Sequence, residues 1–151
     1  MKVTTRISFY FENIKTIPFP RKQTREWIVF IIQNEKATLD CLNFILCDDS
    51  TLLTYNIKYL SHHTLTDIIT FDYSEIDGGI TGDIFISLER VRENASKFKV
   101  DFRREFYRVI FHGVLHLVGY DDKDSISKKR MREREDFYLD LFIDHHKSKD
   151  V

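Results

Sequence analysis

Two histidines four residues apart open the block His112-Gly113-Val114-Leu115-His116-Leu117-Val118-Gly119-Tyr120-Asp121-Asp122. On an α-helix a four-residue step turns the side chain by about 40° around the axis, so both imidazoles leave one face and can close on one cation. Two imidazoles alone do not make a stable centre. Gly119 tolerates positive φ, so the helix can stop there and swing a third donor back, with Asp121 or Asp122 in place to supply it. Two histidines, one carboxylate and an open position form the ligand set of a catalytic Zn²⁺ site.

A bare histidine pair at this spacing would more simply be two core imidazoles bonded to backbone or to acidic neighbours. The glycine three residues past His116 and the aspartate six past it shift the reading to a metal, because H-x-x-x-H-x-x-G-x-x-[H/D] is the spacing of metzincin-type zinc hydrolases. The residue after the first histidine is Gly113, where zincins carry the glutamate general base. A zinc peptidase is therefore disfavoured. A phosphodiester brings anionic oxygens of its own, so phosphoryl chemistry suits the centre better than peptide hydrolysis. Arg108, one turn before His112 on the same stripe, could reach a phosphate held at the metal, or be a surface arginine paired with Glu105 or another acid. Arg103 and Arg104 begin that helix, and Lys97 and Lys99 precede it. Asp67 and Asp83, near strand ends, read first as loop anchors and second as catalytic carboxylates.

The elements that must position these groups are legible from periodicity. Val3, Thr5, Ile7, Phe9 and Phe11 alternate with polar residues as a half-buried strand, and Trp27, Ile28, Phe30, Ile31 and Ile32 give the apolar face of a helix between Arg21 and Lys36. Leu42 to Cys47 reads as a second strand. A helix capped by the oxygens of Asp48, Asp49 and Ser50 then runs to about Leu60. Thr66 to Phe71 and Ile80 to Ser87 read as strands joined by an acidic, glycine-containing loop. Ser87 can cap a helix from Leu88 to about Phe98, Asp101 one from Phe102 to Val118, and Ser125 can begin a last helix reaching His146. The polar run Ser127 to Asp136 in that last helix, with only Met131 apolar, reads as a solvated face. The order β-α-β-α-β-β-α-α-α implies an α/β (α+β) fold, one domain over residues 1–151, with a four-stranded mixed sheet covered by about five helices.

Composition limits the partners. The 23 Lys and Arg against 24 Asp and Glu leave a formal charge of -1, so any contact with nucleic acid must be local rather than a property of the whole surface. No long apolar stretch marks a leader or a membrane anchor, which points to a cytoplasmic protein. Cys41 and Cys47 lie roughly 20 Å apart along a strand at about 3.3 Å per residue, too far to bridge, and read as buried thiols in a reducing compartment. His62 and His63 read as solvent-facing loop residues. His145 and His146 read as the favourably charged C-terminal end of the last helix.

The chain resembles the YbeY family of bacterial endoribonucleases. The resemblance rests on Asn56 and Tyr59, the strand Thr66 to Phe71, the segment Gly82-Asp83-Ile84-Phe85-Ile86-Ser87 and above all the block His112 to Asp122. It implies metal-dependent cleavage of single-stranded RNA in maturation of the 16S rRNA 3′ end and in ribosome quality control. It also implies one Zn²⁺ or other divalent ion per chain, and the small ribosomal subunit and an Era-type GTPase as partners. The implied metal ligands are His112, His116 and Asp122, the last standing where the family's third histidine usually stands. A carboxylate also binds zinc, and as a harder donor it widens the choice of divalent metal. The family's arginine after the tyrosine is Leu60 here, which leaves room for an assembly factor that keeps its metal for structure. Arg108 is the replacement this sequence offers, acting with His112 and His116 in catalysis and with Arg104 and Lys97 in RNA binding.

Overall fold

The strands alternate in burial, and the alternation divides the interior in two. Along the second strand Leu42, Phe44 and Leu46 face a large core, while Ile45 and Cys47 face a small one with Leu52, Ile69 and Phe85. In the computed structural model, which describes residues 6–61 and 66–144, the elements are β1 (Ile7–Glu12), α1 (Arg21–Asn34), β2 (Leu39–Cys47), α2 (Asp49–Leu60), β3 (Ile68–Asp72), β4 (Ile80–Ser87), α3 (Leu88–Phe98), α4 (Phe102–Leu117) and α5 (Ser125–Leu139). A π-helical turn, Asp140–Asp144, prolongs α5. The sheet runs β1-β2-β4-β3, parallel between β1 and β2 and between β2 and β4, with β3 antiparallel to β4 on the edge. The α/β fold with a four-stranded mixed sheet and five helices is the one its periodicity implied. The large core lies beneath α1, α3, α4 and α5, and α2 covers the small one.

Short polar side chains start the helices where expected. Asp48 accepts from the Thr51 amide at 2.8 Å, Ser87 from the Arg90 amide at 3.1 Å and Asp101 from the Arg104 amide at 2.9 Å. For α5 the cap is one residue earlier than Ser125: Asp124 and Ser127 form a reciprocal capping box. β2 starts at Leu39, three residues before the expected strand. Val3 and Thr5 of the first strand, His62, His63, His145 and His146 lie outside the described residues.

One expectation about the thiols is overturned. Cys47 is buried, and burial together with the charges of Asp48, Glu12 and Asp49 pushes its thiol up to about 12. Cys41 is exposed. The two share a face of β2, but α2 covers only the end of the strand that holds Cys47, and the register against β4 slips between Leu39 and Cys41. Among the described residues no helix is long and apolar enough to cross a membrane.

Two glycines set how closely α4 lies on the sheet. A Cβ on Gly113 would stand 3.0 Å from Ile68 Cδ1 and 3.1 Å from Ile84, and one on Gly82 would stand 2.7 Å from the Phe71 carbonyl oxygen and 3.3 Å from Leu117. The Phe71 contact is with backbone of the neighbouring strand, which cannot rotate away. Gly82→Ala should therefore cost about 1–3 kcal/mol of stability. Urea denaturation checks this, and an unchanged midpoint would mean that β3 can move aside freely.

Candidate functional site

Gly113 faces the sheet, so the flanking stripe of α4 faces away from it. That stripe carries Glu105, Arg108, His112 and His116 at steps of three and four residues, and all four line one cavity of about 750 Å³. Asp67 and Thr70 come from the β3 side, Asp122 from the loop after α4, and Lys128, Met131, Arg132 and Glu135 from α5. His112, His116, Asp122 and Arg108, the residues singled out in the sequence, thus face one space. Arg104 and Lys97 do not line it. Arg104 lies 3.8 Å from Asp136, and the Lys97 ammonium sits 5.7 Å from the ring centre of Phe98, which stands at the cavity rim. Leu60 is 40% exposed and outside the cavity. Asp83 also lies outside and accepts from the Asn43 amide at 3.0 Å, the anchoring role.

His112 is held from both sides. Its Nδ1 lies 2.7 Å from Glu135 Oε2, and its Nε2 lies 3.5 Å from Asp122 Oδ2. Burial alone would push its imidazole down. The hydrogen bond and charge of Glu135, with the charges of Asp122 and Asp67, outweigh burial and raise it above the ordinary value. Asp67 is half-buried, and burial raises its carboxyl while the His112 charge pulls the other way. Glu105 is buried and likewise pushed up, against the pull of Arg108. His116 is half-buried, and among the described residues its ring makes no hydrogen bond.

Among the described residues no three His, Cys, Asp or Glu side chains stand close enough together to hold an ion as they are. Two of the expected ligands nonetheless stand at coordinating separation. Tetrahedral bonds of about 2.0–2.2 Å place donors about 3.3–3.6 Å apart, and the His112–Asp122 gap is 3.5 Å. His116 lines the same cavity, so two imidazoles and a carboxylate, donors of the kind a divalent ion takes, face one space without closing into a three-donor group. The Asp122 amide donates to Asp121 Oδ1 at 2.7 Å, so Asp121 shapes the turn while Asp122 faces the cavity.

Glu135 is the residue that sequence reading missed: Lys128 to Arg130, Arg132, Glu133 and Asp136 are exposed, as the solvated face expected over Ser127 to Asp136 requires, but Glu135 is buried. Its Oε1 accepts from Arg108 at 2.7 Å, and the second arm of Arg108 reaches Asp136 at 2.6 Å. Arg108 is thus paired with acids of α5 rather than with Glu105. The signal was available in the helical steps: Met131, Glu135, Tyr138 and Leu139 share one stripe of α5 and are all buried. Lys128 and Arg132 are exposed as expected, but the sequence did not show that they form part of the cavity wall.

A second cluster fixes the loop that carries Asp122. Glu35, just past α1, accepts from Tyr120 at 2.9 Å, from Arg134 at 2.7 Å and from Tyr138 at 2.5 Å. The chain turns into this loop through Gly119 at φ 121°, as the sequence implied.

Comparison with known proteins bears on this architecture. A family model described as Endoribonuclease YbeY matches residues 9–142. The chain is 46% identical over 134 residues to Endoribonuclease YbeY of Amoebophilus asiaticus, covering 88% of this chain and 90% of that one. It is 51% identical over 116 residues to Endoribonuclease YbeY of Flavobacterium psychrophilum, covering 77% and 82%. A solution structure of a protein from Thermotoga maritima superposes with a TM-score of 0.66 at 27% identity, covering 95% of this chain and 93% of that one.

The Glu35 cluster makes a pH-dependent prediction. Burial would raise its carboxyl, but the hydrogen bonds from Tyr138, Arg134 and Tyr120 outweigh burial and hold it below the usual carboxylate range. The resulting stability is present above the unfolded-state value, about 4.3, and is lost as pH falls through the lower folded-state value. Glu35→Gln should cost about 1–3 kcal/mol near neutral pH, with the gap from the parent closing in acid. Denaturant unfolding as a function of pH reads this, and a gap independent of pH would refute it.

Proposed function

This chain belongs to the endoribonuclease YbeY family, and from that membership we propose that it is a metal-dependent endoribonuclease of single-stranded RNA. In this reading it matures the 3′ end of 16S rRNA and takes part in ribosome quality control. It works in the cytoplasm, on the small ribosomal subunit and with an Era-type GTPase as partner. The observation that carries the reading is the meeting of His112, His116 and Asp122 on one cavity whose wall also holds cations, Arg108, Lys128 and Arg132.

His112, His116 and Asp122 would hold one Zn²⁺ or another divalent ion. Such an ion supplies Lewis-acid polarisation of a phosphoryl oxygen and charge for the developing oxyanion. The chain's own residues do the rest. Lys128 and Arg132 present exposed charge to the RNA backbone, and Arg108 adds its charge from deeper in the wall. Arg104 and Lys97 extend the cationic surface beyond the rim. Phe98, 53% exposed, offers a ring on which an unpaired base can stack, a contact that a base inside a duplex cannot make. Asp67 and Glu105 hold carboxyls raised by burial, suited to keeping or passing a proton near the scissile phosphate.

A peptidase reading fares worse. The zincin glutamate would have to stand at position 113, where Ile68 and Ile84 leave no room even for a Cβ without displacement. A catalytically silent assembly factor would keep the metal but not the cleavage.

Metal-stripped protein titrated with Zn²⁺ should take up about one ion per chain. The double variant His112→Ala, His116→Ala should lose it, and Asp122→Ala should lose more affinity than Asp121→Ala. The reloaded parent should cut single-stranded RNA and spare duplex. Alanine at Lys128 and Arg132 together should slow cleavage about 10-fold or more with the ion still bound, and salt dependence should be shallow because few phosphates are neutralised. Full zinc stoichiometry in the double-histidine variant would remove the ligand assignment. Tight zinc binding without cleavage would favour the assembly factor.

A further inference from the structure

We propose that Glu135 is a positioning residue for the metal site, fixing His112 in the tautomer that carries its proton on Nδ1 and leaves Nε2 open toward Asp122. The inference rests on the reading of the cavity as a metal centre. It adds a residue from α5, a helix outside the histidine block, to the machinery that prepares the site.

A carboxylate accepts and does not donate. Glu135 spends Oε1 on the Arg108 guanidinium at 2.7 Å, and Oε2 lies 2.7 Å from His112 Nδ1, so the proton of a neutral His112 must sit on Nδ1. Nε2 is then the free lone pair, on the side of the ring where Asp122 Oδ2 stands 3.5 Å away. With the opposite tautomer Nε2 would carry hydrogen and could not ligate. Glu135 is 4% exposed, and Met131, Tyr138 and Leu139 around it on α5 are buried, so its backbone has no freedom to drift. Arg108 offsets the cost of burying the carboxylate and is itself held at its other arm by Asp136 at 2.6 Å. The line Asp136, Arg108, Glu135, His112 thus runs from an exposed acid to the metal-facing nitrogen. Carboxylates that hold a ligating histidine in this way typically contribute 10–100-fold to metal affinity. Arg108, on this account, acts mainly through Glu135.

Replacing Glu135 with glutamine tests the idea sharply, because Arg108 can only donate. The glutamine carbonyl must turn to Arg108 and its amide NH₂ to His112, which makes Nδ1 an acceptor and moves the proton to Nε2. Long-range ¹H–¹⁵N correlation spectra of the full-length, metal-free protein, at a pH where His112 is neutral, report the tautomer directly. The parent should show Nδ1–H and Glu135→Gln should show Nε2–H, with Zn²⁺ affinity lower by about 10–100-fold. Adding Arg108→Met to Glu135→Gln removes the competing donor, lets the carbonyl turn back to His112 and should restore both Nδ1–H and much of the zinc affinity. A purely structural ion pair would give no inversion and no rescue. The inference is overturned if the parent itself holds Nε2–H, a result that needs no variant to fold, or if Glu135→Gln keeps Nδ1–H and the parent's affinity. A parent with Nδ1–H that takes up no Zn²⁺ overturns the metal-centre reading instead, and with it the purpose assigned here to Glu135.

Discussion

Because Gly113 brings no side chain to the underside of α4, Ile68 and Ile84 pack to about 3.0–3.1 Å from where a Cβ would stand, and the helix lies close on the sheet at that point. Interiors are packed too densely to let a helix roll by even part of a residue step without losing these contacts. Rotation fixed at position 113 also fixes the directions of positions 112 and 116. They leave the helix at its flank, above the edge strand β3 and beside α5, where the cavity opens. The closing approach of Gly82 to Phe71 and Leu117 secures the C-terminal end of the same helix. The site is therefore a by-product of how α4 meets the sheet. Its chemistry can be moved only by altering that packing.

A cavity so lined is electrostatically expensive. Glu105 and Glu135 are buried, Asp67 is half-buried, and the three share the cavity with Arg108, two imidazoles and the exposed cations Lys128 and Arg132. Burying these charges gains little stability over an apolar filling of the same volume, since desolvation takes back most of what pairing provides. Stability comes from elsewhere: the aromatic core of Trp27, Tyr107, Phe111, Tyr138 and Phe142, and the sheet beneath it. The Tyr107 hydroxyl and Thr24 share a buried hydrogen bond of 2.7 Å, which lets even the polar edge of that core be satisfied. The arrangement separates the part of the molecule that holds it together from the part that holds charge in readiness.

Most of the fold and half of the site could be read from residue order. Strand alternation, the caps at Asp48, Ser87 and Asp101, and the glycine ending α4 are local rules, and local rules survive folding. The histidine pair and Asp122 were legible for the same reason, since a helix and a short turn connect them. What could not be read was anything decided between elements. Arg108 sits on the expected stripe, yet its partners Glu135 and Asp136 come from a helix 27 and 28 residues later, so the acid it meets depends on how α5 crosses α4. Cys41 was misjudged because alternation reports which face a residue occupies and not how far along that face a covering helix extends. Glu135 looked solvated because its neighbours in sequence are charged, although its neighbours in helical projection are Met131, Tyr138 and Leu139.

The same glycine that seats α4 also bears on which reaction the cavity can support. In zinc peptidases the residue after the first histidine is a glutamate that acts as general base from the helix itself. Here that position is a glycine packed against Ile68 and Ile84, about 3.0–3.1 Å from where a Cβ would stand, so a glutamate side chain there would have to push those methyl groups aside. A site without it is poorly matched to a neutral amide, whose hydrolysis needs an external group to activate water and another to protonate the leaving amine. The cavity wall instead carries the exposed cations Lys128 and Arg132, groups that pair with anionic oxygens rather than with a neutral amide. Carboxyls raised by burial, Asp67 and Glu105, approach the cavity from the strand and from two turns earlier on α4.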